Sequence, residues 1–241
     1  LTQSTSESSR FCKLKDQSWI TPVIPLSITP ADAEPLTGFR CFFHESVLTM
    51  KLGIPVVIAQ ILLISMQFVD TVMAGHVTAR DLAALGIATA LFHPLLLLMV
   101  GVLMAVTPMV AQLKGSQKDD RISKVVADAL QLSLVFALPL ILLLHLLEPL
   151  MEFIGYPEEV SRIGDGYLQA VAWGVPAMLA YDVFRHFNEG VALTRPNMYF
   201  HIVGLMLNIL GNYTLMFGHF GFPAMGAVGA GWSTALVWNM I

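Results

Sequence analysis

The sequence feature that most restricts the fold is an apolar run from Leu82 to Leu113 that contains no Asp, Glu, Lys or Arg. About 20 apolar residues suffice for a helix to cross the hydrocarbon core of a bilayer, which is about 30 Å thick. At about 1.5 Å per residue, a straight helix over the whole run is longer than that core. We therefore predict a membrane span that tilts, protrudes or bends, with Pro94 and Pro108 as the obvious bend points.

Five further segments have the apolar character of membrane spans, and the sequence ends inside the last of them. They cover approximately residues 52–74, 125–147, 166–184, 198–217 and 222–241. The composition agrees, because 56% of the residues are hydrophobic and only 12% are charged. The sequence thus predicts an all-α membrane protein that forms a six-helix transmembrane bundle. The lipid bilayer is one of its expected partners.

The beginning of the chain has a different character. Residues 1–43 are rich in Ser, Thr and Pro and lack the apolar core of a signal peptide, so we expect a disordered or extraneous leader. Residues 44–241 then form the membrane lobe. Because the chain begins with Leu1 and ends at Ile241 inside an apolar run, we expect it to be a fragment whose C-terminal continuation is missing.

Basic residues are distributed unequally over the two ends of the spans. One side has Arg80 and Arg162, and the other has Arg40, Lys51, Lys114, Lys118, Arg121, Lys124, Arg185 and Arg195. By the positive-inside rule, the N-terminus is cytoplasmic and the acidic segment 148–165 faces outward.

Several functional classes find no support in the sequence. The net charge is −4 and no basic stripe occurs, so we expect no nucleic-acid partner. No nucleophile and base pair and no metal-ligand cluster lies within the spans, which argues against an enzyme. Cys12 and Cys41 show neither metal-ligand spacing nor a disulfide framework, and the isolated His93, His145 and His201 are interpreted as pore-lining or packing residues.

Asp70 lies in the first span, where an ionised side chain costs roughly 2.5 to 3.5 kcal/mol at the bilayer centre. Asn208 and Asn212 are four residues apart and share one helix face, and Thr234 falls near the middle of the last span. Their predicted depths allow all four oxygen-bearing side chains to meet. One carboxylate with neutral oxygens suits a proton or a small hard cation such as Na⁺, with Asp70, Asn208 and Asn212 as its candidate ligands. Alternatively, the Asn and Thr side chains only hydrogen-bond between helices.

Other polar residues within the spans receive more modest roles. Gln60 and Gln67 are candidates for lining a cavity. Asp182, Arg185 and Glu189 have i,i+3 and i,i+4 spacings, which favour structural ion pairs at the cytoplasmic end of one helix over a transport site. A set of small residues begins the sixth span and is expected to permit close helix packing. This set comprises Gly226, Gly229, Ala230 and Gly231.

Several separated segments together resemble the multidrug and toxic compound extrusion (MATE) family of transporters, especially its NorM-like branch. The segments that carry the resemblance are Phe68 to Gly75, Thr107 to Gln112 with Gly115, Arg185 with Glu189 and Gly190, Asn208 to Asn212, Gly218 to Gly221, and the Gly-rich start of the sixth span. The resemblance covers residues from about 44 to 241 and implies the N-terminal six-helix lobe of a twelve-helix antiporter.

The resemblance also implies a function and roles for individual residues. Such transporters export bulky, often cationic organic compounds from the cell in exchange for H⁺ or Na⁺, which act as the coupling ions without any other cofactor. Asp70 corresponds to the coupling carboxylate, and Asn208, Asn212 and Thr234 correspond to positions that complete a polar cation site. The expected location is the bacterial inner membrane, and the expected partners are small organic substrates and a missing C-terminal lobe with further coupling acids.

Two alternatives remain open at the level of sequence. A flippase for lipid-linked precursors, from the same superfamily, is expected to have a more basic central cavity than these spans supply. A half-protein that does not transport, and acts only by packing against membrane partners, is the alternative from another class.

Overall fold

The computed structural model describes the backbone of residues 39–240 and, within that range, all side chains except those of residues 39–45, 48, 148 and 152. The expected leader therefore lies outside the described residues up to position 38. The described chain is helical and contains no strand. Its helices are α1 (Phe39–Val77), α2 (Ala79–Leu103), α3 (Val106–Gly115), α4 (Asp119–His145), α5 (Leu147–Ile154), α6 (Glu158–Ala172), α7 (Val175–Gly190), α8 (Arg195–Leu215) and α9 (Ala227–Met240).

Three of the breaks between helices lie immediately upstream of a proline. A proline inside a helix lacks the N–H that would bond to the carbonyl four residues earlier, and its ring collides with that carbonyl. Counting four residues back from Pro149 and Pro176 gives the last residues of α4 and α6, and counting back from Pro108 gives the residue that follows α2. The long second span is thus interrupted at the turn before Pro108, whereas α2 continues through Pro94.

Three stretches of the described residues are long and apolar enough to cross a membrane, namely Thr49–Val77, Ala79–Gly115 and Asp119–His145. The remaining predicted spans lie in α6 to α9 and fall short of that length or hydropathy. Large apolar side chains cover the outside of the bundle, with Phe68 and Leu138 each 68% exposed. This arrangement is stable in hydrocarbon, where apolar side chains need no protein cover.

The helices enclose a core of buried side chains that includes Leu85, Leu140, Leu168 and Leu179. Helix α9 packs against α6 and α8, α1 packs against α8, and α4 packs against α7. Small residues allow the closest approaches, as predicted for the start of the sixth span. A Cβ atom on Gly229 would lie 2.6 Å from the Leu215 carbonyl, and one on Gly231 would lie 2.8 Å from the Tyr167 carbonyl oxygen. The small-residue face is therefore a packing surface.

Candidate functional site

The Asp70 side chain lies in the interior of the bundle and is only 8% exposed. The Asn212 side-chain amide donates to its Oδ1 over 2.5 Å. The Thr234 hydroxyl donates to Oδ2 over 3.5 Å. Helices α1, α8 and α9 thus each contribute one polar group to a single cluster, at sequence separations of 142 and 164 residues.

Asn208 belongs to the same cluster through Asn212, whose Nδ2 lies 3.3 Å from the Asn208 Oδ1. Both amides are completely buried on the face of α8 that the four-residue spacing predicts. Asn212 Oδ1 has no hydrogen-bond partner among the described residues. A buried amide oxygen without a partner loses the free energy of hydration, so this atom is suited to accept a proton donor or to coordinate a hard cation.

A cavity of about 590 Å³ opens beside Asp70. That volume falls within the range of pockets that take small organic ligands. Gln60 and Gln67 line its wall on α1, and Tyr167 on α6 and Thr234 on α9 also contribute. The apolar part of the lining includes Leu63, Met66, Phe92, Leu96, Val171 and Met178. The carboxylate cluster is therefore part of the wall of a cavity large enough for an organic molecule.

A hydrogen bond across the cavity wall joins α1 to α2. Gln67 Nε2 lies 2.6 Å from His93 Nε2, and His93 Nδ1 lies 2.9 Å from the Thr89 carbonyl oxygen. In the tautomer that satisfies both contacts, His93 Nδ1 donates to Thr89 and its Nε2 accepts from Gln67. His93 is therefore a lining residue with a defined partner, whereas His145 lies at the exposed end of α4.

The ion pairs expected in the fourth span are present, and two of their members also line the cavity. Arg185 Nε lies 3.1 Å from Asp182 Oδ1 and 3.9 Å from Glu189 Oε1. Asp182 and Arg185 contribute to the cavity lining. His186 adds contacts of 3.6 Å to Asp182 and 3.3 Å to Glu189, which the spacing argument did not include. Its positions, four residues after one acid and three before the other, are the signal that could have identified it.

Aromatic residues line the cavity near Asp182. The rings of Tyr181 and Trp238 lie 5.3 Å apart between centroids, and those of Tyr181 and His201 lie 5.6 Å apart. His201 Nδ1 lies 2.7 Å from the Asn197 carbonyl oxygen and 3.2 Å from the Tyr181 hydroxyl. The cavity lining thus combines the Asp70 cluster with a second group of aromatic and charged residues.

Besides His186, sequence reasoning missed two residues of structural importance. Tyr167 is 5% exposed and lines the cavity, but a Tyr within an apolar span gives no distinguishing signal. Asp81 is also buried, and its Oδ1 accepts the Ala227 backbone N–H over 2.8 Å. Thr78 and Asp81 have the spacing of a helix-capping box, which predicts a local cap. The contact with Ala227, 146 residues away, has no local signature.

Comparisons with known proteins give a consistent result. The family model MatE matches residues 55–214. The multidrug resistance protein NorM of Photobacterium profundum is 42% identical over 195 residues, which are 81% of this chain and 43% of that protein. NorM of Vibrio cholerae is 40% identical over 80% of this chain and 42% of its own length. MdtK of Klebsiella pneumoniae is 39% identical over 82% and 43%, respectively.

Solved structures show the same fold at lower sequence identity. An outward-facing multidrug resistance MATE family transporter of the MOP superfamily superposes with a TM-score of 0.71 at 20% identity, over 79% of this chain and 42% of that one. A MATE structure in the bent conformation superposes with a TM-score of 0.70 over the same shares. The predicted fold class is confirmed, and the chain spans about two fifths of the length of the relatives that it matches. This chain belongs to the MatE family, the multidrug and toxic compound extrusion family of integral membrane proteins.

Proposed function

We propose that the complete protein is a secondary active transporter that expels organic compounds, often cationic, in exchange for H⁺ or Na⁺, with Asp70 as its coupling carboxylate. The observation that carries this proposal is a buried carboxylate, bonded by Asn212 and Thr234, in the wall of a cavity of about 590 Å³. The relatives named as multidrug resistance proteins support the substrate class.

Asp70 can couple an ion to a conformational change because it is buried and bonded to groups on two other helices. Protonation or cation binding changes the charge of a group for which water is largely unavailable. The ion shifts the equilibrium between two conformations only as far as it binds one of them more tightly. In the described conformation, Asn212 presents its NH₂ group to the carboxylate. Rotation of that amide would present Oδ1 instead, the atom that a cation requires.

The charges around the cavity favour organic cations as substrates. Among the described residues that line it, Asp70 and Asp182 are the acids and Arg185 is the only Lys or Arg. Arg185 is already paired with Asp182. With all three groups ionised, the lining carries one net negative charge. A flippase for lipid-linked anionic precursors needs the opposite balance, which supports the export of cationic compounds over that alternative.

We propose the bacterial inner membrane as the location, with the N-terminus in the cytoplasm. The relatives that share about 40% identity are bacterial. With the N-terminus in the cytoplasm, most of the Lys and Arg residues at the span ends lie on the cytoplasmic side, as the positive-inside rule requires. Asp70 then lies in the outer half of the first span, where an external proton or Na⁺ ion reaches it first.

Substitution of Asp70 by Asn in the complete protein tests the proposal. The amide keeps the size of the side chain but cannot exchange a proton or neutralise a cation. We expect ethidium efflux from proteoliposomes, driven by a pH or Na⁺ gradient, to fall to the background of protein-free vesicles. Asp128→Asn is the matched control because Asp128 is an exposed acid on α4, and its efflux should equal that of the wild type. Unchanged efflux by a correctly folded D70N variant would disprove the role of Asp70.

A further inference from the structure

The Asp81 carboxylate links two helix N-termini. Its Oδ2 accepts the Thr78 hydroxyl over 2.5 Å, and the Asp81 backbone N–H donates to the same hydroxyl over 3.0 Å, which caps α2. Its Oδ1 accepts the N–H of Ala227, the first residue of α9, over 2.8 Å. Asp81 is 7% exposed, so water does not compete strongly for these bonds. A buried carboxylate that accepts two hydrogen bonds, one at each oxygen, is a strong connection.

The C-terminal end of α1 and the N-terminal end of α9 each lie about two helical turns from the Asp70 cluster, counted along their own helix. Thr78 directly follows the last residue of α1, and Asp70 lies about two turns back along that helix. Thr234 lies about two turns along α9 from Ala227, on the same face. The bond from the Ala227 N–H to Asp81 therefore fixes the axial position of the helix that carries Thr234 relative to the helix that carries Asp70.

The position of α9 matters because the Thr234 bond to Asp70 is at the limit of hydrogen-bond length, 3.5 Å. A displacement of α9 away from α1 therefore breaks this bond. The loop before α9 is also fixed, since the Met225 N–H donates to Leu215 over 3.0 Å and the Gly226 N–H donates to Met216 over 3.2 Å. Gly226 has a φ of +58°, and a Cβ atom there would collide with the Asp81 carboxylate. The close approach of Asp81 to this loop thus requires glycine.

We infer that Asp81 is a positioning residue for the coupling site, which holds α9 at the depth where Thr234 reaches Asp70. The inference rests on the proposed function of Asp70. It assigns to Asp81 no contact with the coupling ion or the substrate, because its side chain is not part of the described cavity lining.

A double-mutant cycle in the complete protein tests the inference. The readout is the concentration of external Na⁺ that gives half-maximal ethidium efflux from proteoliposomes. If Na⁺ has no effect on the wild type, the half-maximal concentration of external H⁺ is measured instead. We expect Asp81→Ala to change it about threefold, in the same direction as Thr234→Val does, because both weaken one hydrogen bond to Asp70. The half-maximal Na⁺ concentration should rise because the cation loses a ligand oxygen, whereas the half-maximal H⁺ concentration should fall because a carboxylate that accepts one hydrogen bond fewer holds a proton more tightly. In the Thr234→Val background, Asp81→Ala should have no further effect. If the double variant instead shows the product of the two single changes in half-maximal ion concentration, the inference is overturned.

Two variants separate the α9 contact from the local cap. Thr78→Val removes the capping hydroxyl but leaves the bond from Ala227 to Asp81, so its half-saturating concentration should match the wild type. Asp81→Asn keeps an acceptor oxygen for the Ala227 N–H and should restore most of the wild-type value. An equal effect of Thr78→Val and Asp81→Ala would overturn the inference. If Asp81→Ala does not fold, Asp81→Glu takes its place in the cycle, because the longer side chain displaces the carboxylate.

A distance measurement keeps this test independent of transport. Spin labels at Val72 on α1 and Met240 on α9, in a protein whose native cysteines, Cys12 and Cys41 among them, are replaced by Ser, report the position of one helix relative to the other. Asp81→Ala should shift or broaden their distance distribution, and Thr78→Val should not. An unchanged distribution would overturn the inference even if Asp70 couples transport. Conversely, a shifted distribution together with normal efflux by D70N would disprove only the proposed function.

Discussion

Asn212 and Thr234 bind the two oxygens of Asp70 at different lengths, 2.5 Å and 3.5 Å. The short bond from a completely buried amide restrains the carboxylate more than the long bond from a hydroxyl does. A hydrogen bond to a charged group contributes about 1.5 to 3 kcal/mol, which corresponds to more than a tenfold change in an equilibrium constant. The long bond should contribute much less, because hydrogen bonds weaken with distance.

We therefore expect Asn212→Ala to change the half-saturating concentration of the coupling ion more than tenfold, and Thr234→Val to change it about threefold. The change should be an increase for Na⁺, which loses a ligand oxygen, and a decrease for H⁺, because a carboxylate that accepts one hydrogen bond fewer holds a proton more tightly. The measurement is ethidium efflux from proteoliposomes at a series of imposed ion gradients. Gln131→Ala, which removes an exposed amide from α4, is the matched control and should behave like the wild type. A larger effect of Thr234→Val than of Asn212→Ala would contradict this ranking.

At the residue scale, the sequence predicted the members of the Asp70 cluster but not all of their surroundings. An acid in an apolar span is conspicuous, and the spacing of Asn208 and Asn212 defines a helix face. By contrast, the sequence predicted the pairing of Asp182 with Arg185 but not that both line the cavity. Whether a helix face points into a cavity depends on its neighbours in three dimensions. The same limit explains why the bond from Ala227 to Asp81 could not be predicted.

At the scale of the helices, prolines account for the difference between predicted spans and observed helices. The sequence predicted a bend in the long second span and offered two prolines for it. The chain is interrupted before Pro108 but continues as a helix through Pro94. Both prolines impose the same local penalty. Their difference therefore comes from packing around each site, which a single sequence does not contain.

Close packing of α9 leads to a prediction about helix stability. A Cβ atom on Gly229 would lie 2.6 Å from the Leu215 carbonyl carbon, so Gly229→Ala must displace backbone. Overpacking of this kind costs about 1 to 3 kcal/mol, and we expect a Tm several degrees lower in detergent. Gly101→Ala is the matched control, because its Cβ would meet nothing within 4 Å. There, higher helix propensity should leave the Tm unchanged or raise it slightly.

The measurement is the thermal loss of monodisperse protein, followed by size-exclusion chromatography of both variants. An equal Tm for Gly229→Ala and Gly101→Ala would show that α9 can move away from α8 without cost. That result would also weaken the argument that the depth of α9 is fixed. The two helices would then hold Thr234 less firmly than the distances indicate.

At the scale of the whole molecule, the described chain forms one bundle with its own core and its own cavity. Alternating access needs two bodies that move relative to each other, so that the cavity opens first to one side of the membrane and then to the other. One compact bundle supplies only one such body. The matched relatives are more than twice as long as the aligned part of this chain.

We therefore expect residues 44–241, expressed alone, to insert into the membrane but to sustain no ethidium efflux. Co-expression with the C-terminal half of the complete protein should restore efflux, because the second bundle supplies the moving partner. Residues 44–241 with Asp70→Asn form the matched control, and co-expression should not restore efflux to them. Fluorescence of a fused reporter in isolated membranes checks that all versions reach the bilayer in equal amounts. Efflux by residues 44–241 alone would contradict the prediction and would indicate a self-sufficient transporter, in which a second copy of the chain takes the place of the second bundle.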